Sequence, residues 1–299
     1  DGQVNNRGLE ISALWKDRIG KDIGYYVSAN VATLRNRLTN IGAANPDGSK
    51  PVWTYEDDYH YKELTPYRSS EGKPLYSYYL LRTDGVFQTD AEAAAYVNSN
   101  GQRLQPKAKA GDLKFVDVDQ NGSIGEGDYE FRGNAMPKMT YAFSAGFSYK
   151  KFSFDFMLQG SYGAKLFNAY KYTTLNEAVG SFNRSEKILK ALEGPTYDVP
   201  RISMTDDNDN FGRISDWYLE SGSYLRMKNI SISYSFSDLL RKLAFFNQRQ
   251  STLDLTLSCD NLFTITPYSG IDPEVGGVGL DCGQYPVSRT ISLGVKIKF

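Results

Sequence analysis

The chain has 299 residues, 34 Lys+Arg against 35 Asp+Glu, a formal net charge of -1 and a mean hydropathy of -0.47. Nothing in the balanced charge steers the chain toward nucleic acid, and no apolar run approaches the roughly 18 residues of a membrane helix. A transmembrane β-barrel is not excluded, because half of each barrel strand faces a polar lumen. The aromatic fraction is 14%, with 22 Tyr and 16 Phe, residues that favour strands and the water–lipid boundary of barrels. The chain starts at Asp1 without Met or a signal sequence, and so reads as a mature product or a piece of something larger. Cys259 and Cys282 leave two readings open: a disulfide across a turn-rich segment, or Cys259 as an apolar-face residue of its strand.

In chain order, residues 8–18 alternate, with Leu9, Ile11, Ala13 and Trp15 on one face. A tight turn at Ile19–Asp22 leads into 24–40, where Tyr25, Val27, Ala29 and Val31 are in phase. A mixed connection, 42–138, is rich in Gly, Pro, Tyr and Asp. Residues 139–149 put Tyr141, Phe143, Ala145, Phe147 and Tyr149 on one face; Lys150 and Lys151 turn the chain; 152–160 align Phe152, Phe154, Phe156 and Leu158. The next connection, 161–221, carries a short helix at Ser185–Leu192 and a solvated TDDNDN run at 205–210. In 223–237, Leu225 and Met227 share one phase and Ile230, Ile232, Tyr234 and Phe236 the other, so a β-bulge is expected at Lys228–Asn229. A medium connection, 238–251, precedes 252–262 with Leu253, Leu255, Leu257 and Cys259 in phase; the Gly-rich connection 263–287 then leads to the last strand. That strand alternates Ile291, Leu293, Val295, Ile297 and Phe299 against Thr290, Ser292, Gly294, Lys296 and Lys298.

The pattern is all-β, with about seven strands near the roughly 9–11 residues that cross a bilayer. Short turns at one end and long connections at the other match barrels whose turns are periplasmic and whose loops are extracellular. Trp15, Tyr149, Phe152, Tyr234, Phe236 and Phe299 fall near the short-turn end, as an interfacial girdle would. Seven strands are too few and odd in number for a usual bacterial barrel, which again implies part of something larger.

One segment carries chemistry. Asp117–Asp128 reads DVDQNGSIGEGD, placing Asp117, Asp119 and Asn121 at positions one, three and five of a calcium loop. Gly122 supplies the sharp bend at six, Ser123 a backbone carbonyl at seven, and Asp128 the last carboxylate in place of Glu. Flanking helices are not evident, since 112–116 looks extended and 129–134 loop-like, so this is not a sensor EF-hand. The alternative is a metal-free Asx-turn loop, because Asp, Asn and Gly also favour turns. Elsewhere, His60 is the sole histidine, which disfavours a histidine metal cluster or a Ser-His-Asp site. Asp57–Asp58 and Asp206–Asp207 read as solvated acids rather than catalytic pairs. The aromatics Trp53, Tyr55, Tyr59, Tyr61, Tyr67, Tyr76, Tyr78 and Tyr79 either pack a large loop or partner interface, or stack on sugar or peptide ligands.

Six stretches, in order, resemble the C-terminal third of SusC/RagA-like TonB-dependent transporters of Bacteroidota outer membranes. They are NRGLEISALW at 6–15, LLRTDGVFQT at 80–89, AGDLKFVDVDQNGSIGEGD at 110–128, GNAMPKMTYAFSAGFSYKKFSFDFMLQGSYG at 133–163, YLRMKNISISYSF at 224–236 and SRTISLGVKIKF at 288–299. The resemblance implies the end of an antiparallel transmembrane barrel of about 22 strands, with the C-terminus periplasmic and 42–138, 161–221 and 263–287 as extracellular loops. It implies import of oligosaccharide or peptide powered through TonB, with a SusD-like surface lipoprotein as lid. The plug and the rest of the barrel, absent from this chain, would be partners, together with outer-membrane lipid. On this reading the chain is not an enzyme, calcium at Asp117, Asp119, Asn121, Ser123 and Asp128 is its one candidate cofactor, and nucleic acid is no partner. Two other readings stay open: a secreted, soluble, calcium-stabilised β-protein that binds or cleaves carbohydrate, and a calcium-dependent adhesin.

Overall fold

The computed structural model describes residues 2–55, 57–180, 182–236 and 252–298. Phe299 and the connection expected at 238–251 lie outside the described residues. Seven long strands form one antiparallel meander in sequence order. They are β1 (Gln3–Ile19), β2 (Ile23–Asn40), β3 (Met139–Tyr149), β4 (Phe152–Tyr162), β5 (Tyr224–Ser235), β6 (Thr252–Asp260) and β7 (Thr290–Lys298). The first hairpin is longer than its sequence alternation, because pairing continues up to Gln3–Asn40, past the last clear apolar positions. The tight turn at Lys150 is made by a lysine at φ 52, the left-handed conformation such hairpins need.

The register decides which residues share a face. Leu9, Ile11, Ala13 and Trp15 stand opposite Thr33, Val31, Ala29 and Val27, which in turn face Met139, Tyr141, Phe143 and Ala145. Phe147, Ala145 and Phe143 meet Phe154, Phe156 and Leu158. The row continues through Ile230, Ile232 and Tyr234 to Cys259, Leu257 and Leu255 and ends on Ile291, Leu293 and Val295. The opposite face carries Ser12, Asn30, Ser144, Asp155, Ser231, Thr256 and Ser292, with Leu14, Leu34 and Met157 among its large aliphatic exceptions. The pairing jumps from Met157–Asn229 to Leu158–Met227, so Lys228 is the extra residue of the expected bulge. Without it Leu225 and Met227 would point to the polar side.

The apolar face is exposed: Trp15, Leu257, Ile291 and Leu293 are 64%, 51%, 71% and 74% exposed. Six interstrand spacings by about six residues of strand give a footprint of roughly 600 Å². That is larger than the few hundred Å² a soluble monomer tolerates.

The buried core lies elsewhere. All three long connections contribute to one cluster that includes Leu64, Tyr78, Leu113, Phe167, Trp217 and Leu280. Tyr67 and Tyr78 lie 5.2 Å apart, Tyr78 and Phe167 6.3 Å, and Phe167 and Tyr218 4.9 Å, an aromatic column through the first two connections. The Tyr78 hydroxyl donates toward the carbonyls of Lys165, Val278 and Gly279, which ties in the third. The cluster docks on the projecting end of β2, where Gly72 N donates to Leu38 O at 2.8 Å and Leu38 is fully buried. Most of the loop aromatics are therefore packing residues, although Trp53 and Tyr59 remain 40% and 45% exposed. The 185–192 helix is a 3-10 turn, Glu186–Leu192, capped by the Ser185 side chain. Cys259 and Cys282 are both free thiols, which removes the disulfide reading.

Candidate functional site

The 117–128 segment follows a short strand, Leu113–Phe115, and ends in a 3-10 turn, Glu126–Asp128. Residues 129–133 then form a strand paired with Ser77–Leu81 rather than the loop expected there. The upstream flank is pinned, with Phe115 N donating to Gln105 Oε1 at 2.8 Å and the Tyr96 hydroxyl donating to Phe115 O at 2.8 Å. Asp117, Asp119 and Asp128 each offer a carboxylate oxygen, all within 4.8 Å of one another.

Their other contacts shape the loop. Asp117 Oδ2 accepts from Gly122 N at 2.9 Å, Asp119 Oδ1 from Asn121 N at 3.0 Å, and Asn121 Oδ1 from Ser123 N at 2.9 Å. Asp128 is fully buried and accepts from Val118 N and Gly125 N at 2.6 and 2.7 Å. Gly122 takes φ 88, which a side chain would strain.

Two observations test whether a cation fits. Asp117 Oδ1 is buried with no hydrogen-bond partner, although carboxylate oxygens normally find one. A Cβ at Gly127 would lie 2.0 Å from Asp119 Oδ2, so a side chain there displaces that carboxylate from its present position. Oxygen donors of this kind suit a hard divalent cation. The structure therefore gathers Asp117, Asp119 and Asp128; Asn121 lies on the same turn, donating its Nδ2 to Asp119 Oδ2 at 2.8 Å and accepting on Oδ1 from Ser123.

A second feature escaped the sequence. Connections 161–221 and 263–287 enclose a cleft of about 760 Å³ that includes Tyr170, Lys171, Tyr197, Trp217, Glu220 and Ser269. Lys171 Nζ bonds Glu220 Oε1 at 2.8 Å and sits 4.6 Å over the Trp217 ring. Tyr170 and Tyr197 are 38% and 42% exposed at the rim, open to stacking against a planar or sugar-like ligand. No local pattern announces the cleft, because its walls come from segments tens of residues apart.

The TDDNDN run is solvated on one side only: Thr205, Asp207 and Asp209 are exposed and the alternate residues turn inward. Asn208 and Asn210 are buried, and Asn210 Nδ2 donates to the fully buried Asp112 at 2.8 Å. Asp206 caps Asn210 N and Phe211 N, both at 3.0 Å, and burial pushes its carboxyl up to about 6 against those two donors.

No family model matches the chain. TonB-dependent receptor P3 of Formosa agariphila is 28% identical over 313 residues, matching 100% of this chain and 29% of its own length. TonB-dependent receptor SusC of Bacteroides thetaiotaomicron is 22% identical over 302 residues, matching 100% of this chain and 27% of its own. The RagAB peptide importer in its open-open state superposes with a TM-score of 0.72 at 22% identity, over 100% of this chain and 29% of that one. The chain thus spans under a third of the length of its relatives. Its antiparallel sheet is similar to the C-terminal part of RagA/SusC-like barrels.

Proposed function

We propose that this chain, a homologue of the SusC/RagA-like TonB-dependent receptors, forms seven strands of an outer-membrane barrel wall that imports an oligosaccharide or peptide. The homologues are outer-membrane receptors and transporters rather than enzymes. The observation that carries the reading is the apolar face, aligned by register across all seven strands and exposed, opposite a face of Ser, Thr, Asn and Asp. In water such a face demands a cover; in a bilayer the hydrocarbon is the cover. An open sheet does not survive in lipid, so β1 and β7 need further strands to close the barrel.

On this reading the tight turns and the end of β7 are periplasmic, and the core-forming connections are extracellular. The connections meet a SusD-like lipoprotein lid, and the rim tyrosines Tyr170 and Tyr197 contact the ligand. Force from TonB acts on a plug elsewhere in the assembly. The 117–128 loop binds calcium through Asp117, Asp119, Asn121, the Ser123 carbonyl and Asp128. The ion would satisfy the orphan Asp117 oxygen and stiffen the loop.

The test is to tag the chain in its native host, extract membranes with and without mild detergent, and identify what co-purifies by mass spectrometry. Detergent-dependent recovery with a plug-bearing barrel polypeptide and a SusD-like lipoprotein is expected. A monodisperse chain recovered without detergent or partners would overturn the reading in favour of a soluble carbohydrate-binding protein.

A further inference from the structure

We propose that the outward face of the β1–β2 hairpin, just above the apolar belt, binds the phosphate groups of a lipid headgroup through Arg7, Arg35, Arg37 and Lys138. The inference rests on the membrane reading above.

The register fixes the level. Leu9, Thr33, Met139 and Tyr162 form one continuous row across four strands. Tyr162 is 59% exposed on the apolar face at the end of the long connections, where a barrel places its upper interfacial aromatics. The next outward pair above this row is Arg7 with Arg35, followed by Asn5 with Arg37. They stand about 7 and 13 Å farther along the strand, at the height where acyl chains give way to charged headgroups.

The four cations line a groove of about 1000 Å³ whose walls also include Leu9, Pro74 and Met136 and contain no Asp or Glu. Among the described residues none of the four makes an ion pair. Arg7 and Arg35 are direct cross-strand partners, and like charges so placed repel. What sets the group apart is its clustering: three arginines on two paired strands share one groove with no carboxylate on its walls. The outward face at the tight-turn end has no counterpart: Trp15, Asp17 and Tyr25 occupy it. Guanidinium groups bind phosphate through paired donors, and the apolar wall below suits the first carbons of an acyl chain. On this hairpin the outward cations stand at the long-connection end alone, which complements an anionic headgroup there.

The test uses the full assembly purified in mild detergent, then exchanged into nanodiscs of phosphatidylcholine doped with either phosphatidylglycerol or monophosphorylated lipid A. Native mass spectrometry counts retained lipid. Wild type is expected to retain phosphorylated lipid in preference to phosphatidylcholine by at least tenfold. R7Q/R35Q/R37Q should lose that preference and R7K/R35K/R37K should keep most of it. K16Q/K296Q, on the polar face, should behave as wild type. Equal retention of neutral and phosphorylated lipid, or an unchanged R7Q/R35Q/R37Q variant, would overturn the proposal, as would displacement by millimolar inorganic phosphate alone. Circular dichroism confirms that each variant is folded. A chain that needs no detergent defeats the membrane reading; a detergent-requiring chain without lipid preference defeats only this site.

Discussion

Leu293 and Ser292 are neighbours on β7 that point to opposite faces, and exchanging each for lysine separates a lipid-facing sheet from a water-facing one. Leu293 lies mid-belt opposite Leu257 and is 74% exposed. If water covered that face, Leu293→Lys would change stability by no more than about 0.5 kcal/mol, as surface substitutions do. If hydrocarbon covers it, a lysine near the bilayer midplane costs about 2–4 kcal/mol, a roughly 30- to 700-fold shift in the folding equilibrium. Ser292→Lys faces the polar side, beside Ser258, and should stay within about 0.5 kcal/mol in either case. The assay is urea unfolding of the barrel assembly in lipid vesicles, followed by tryptophan fluorescence and by heat-modifiable mobility on gels. A Leu293→Lys variant as stable as wild type, or a Ser292→Lys variant more damaged than Leu293→Lys, would refute the assignment of faces.

Three further outcomes follow from the connections. Arg226 is 3% exposed and holds Asp272 at 2.7 Å, Glu274, and Thr264 at 2.8 Å. Arg226→Met should destabilise by roughly 3 kcal/mol, because Asp272 loses its cation while Glu274 keeps Lys228 at 3.3 Å, and limited proteolysis should then cut within 263–287. Asp206, at about 6 when folded, lies above the ordinary aspartate value of about 3.9. Its contribution is full below that value and lost as pH rises through about 6. The melting temperature of wild type relative to Asp206→Asn should therefore fall between about pH 4 and pH 6.5. Gly127→Ala, whose Cβ would meet Asp119 Oδ2 at 2.0 Å, should abolish calcium binding measured by titration calorimetry, while Gly125→Ala, which meets no atom within 4 Å, should preserve it.

The alternation of side chains by itself determined the seven strands, their common apolar face and even the slip at Lys228, because a period of two is a local property of extended backbone. The six motif stretches likewise pointed to the TonB-dependent receptor homologues. The spacing of Asp117, Asp119 and Asp128 carried the candidate cation loop, since all its donors lie within one turn of chain. Only the tertiary structure decided what the long connections do. Tyr78, Phe167, Trp217 and Leu280 are up to two hundred residues apart and form one core through contacts no local pattern encodes. The same holds for the burial of Asn208 and Asn210, which composition alone marked as solvated. The cleft around Lys171 and the cationic groove at Arg7, Arg35 and Arg37 also emerge only after pairing, because register, not sequence distance, sets which side chains meet.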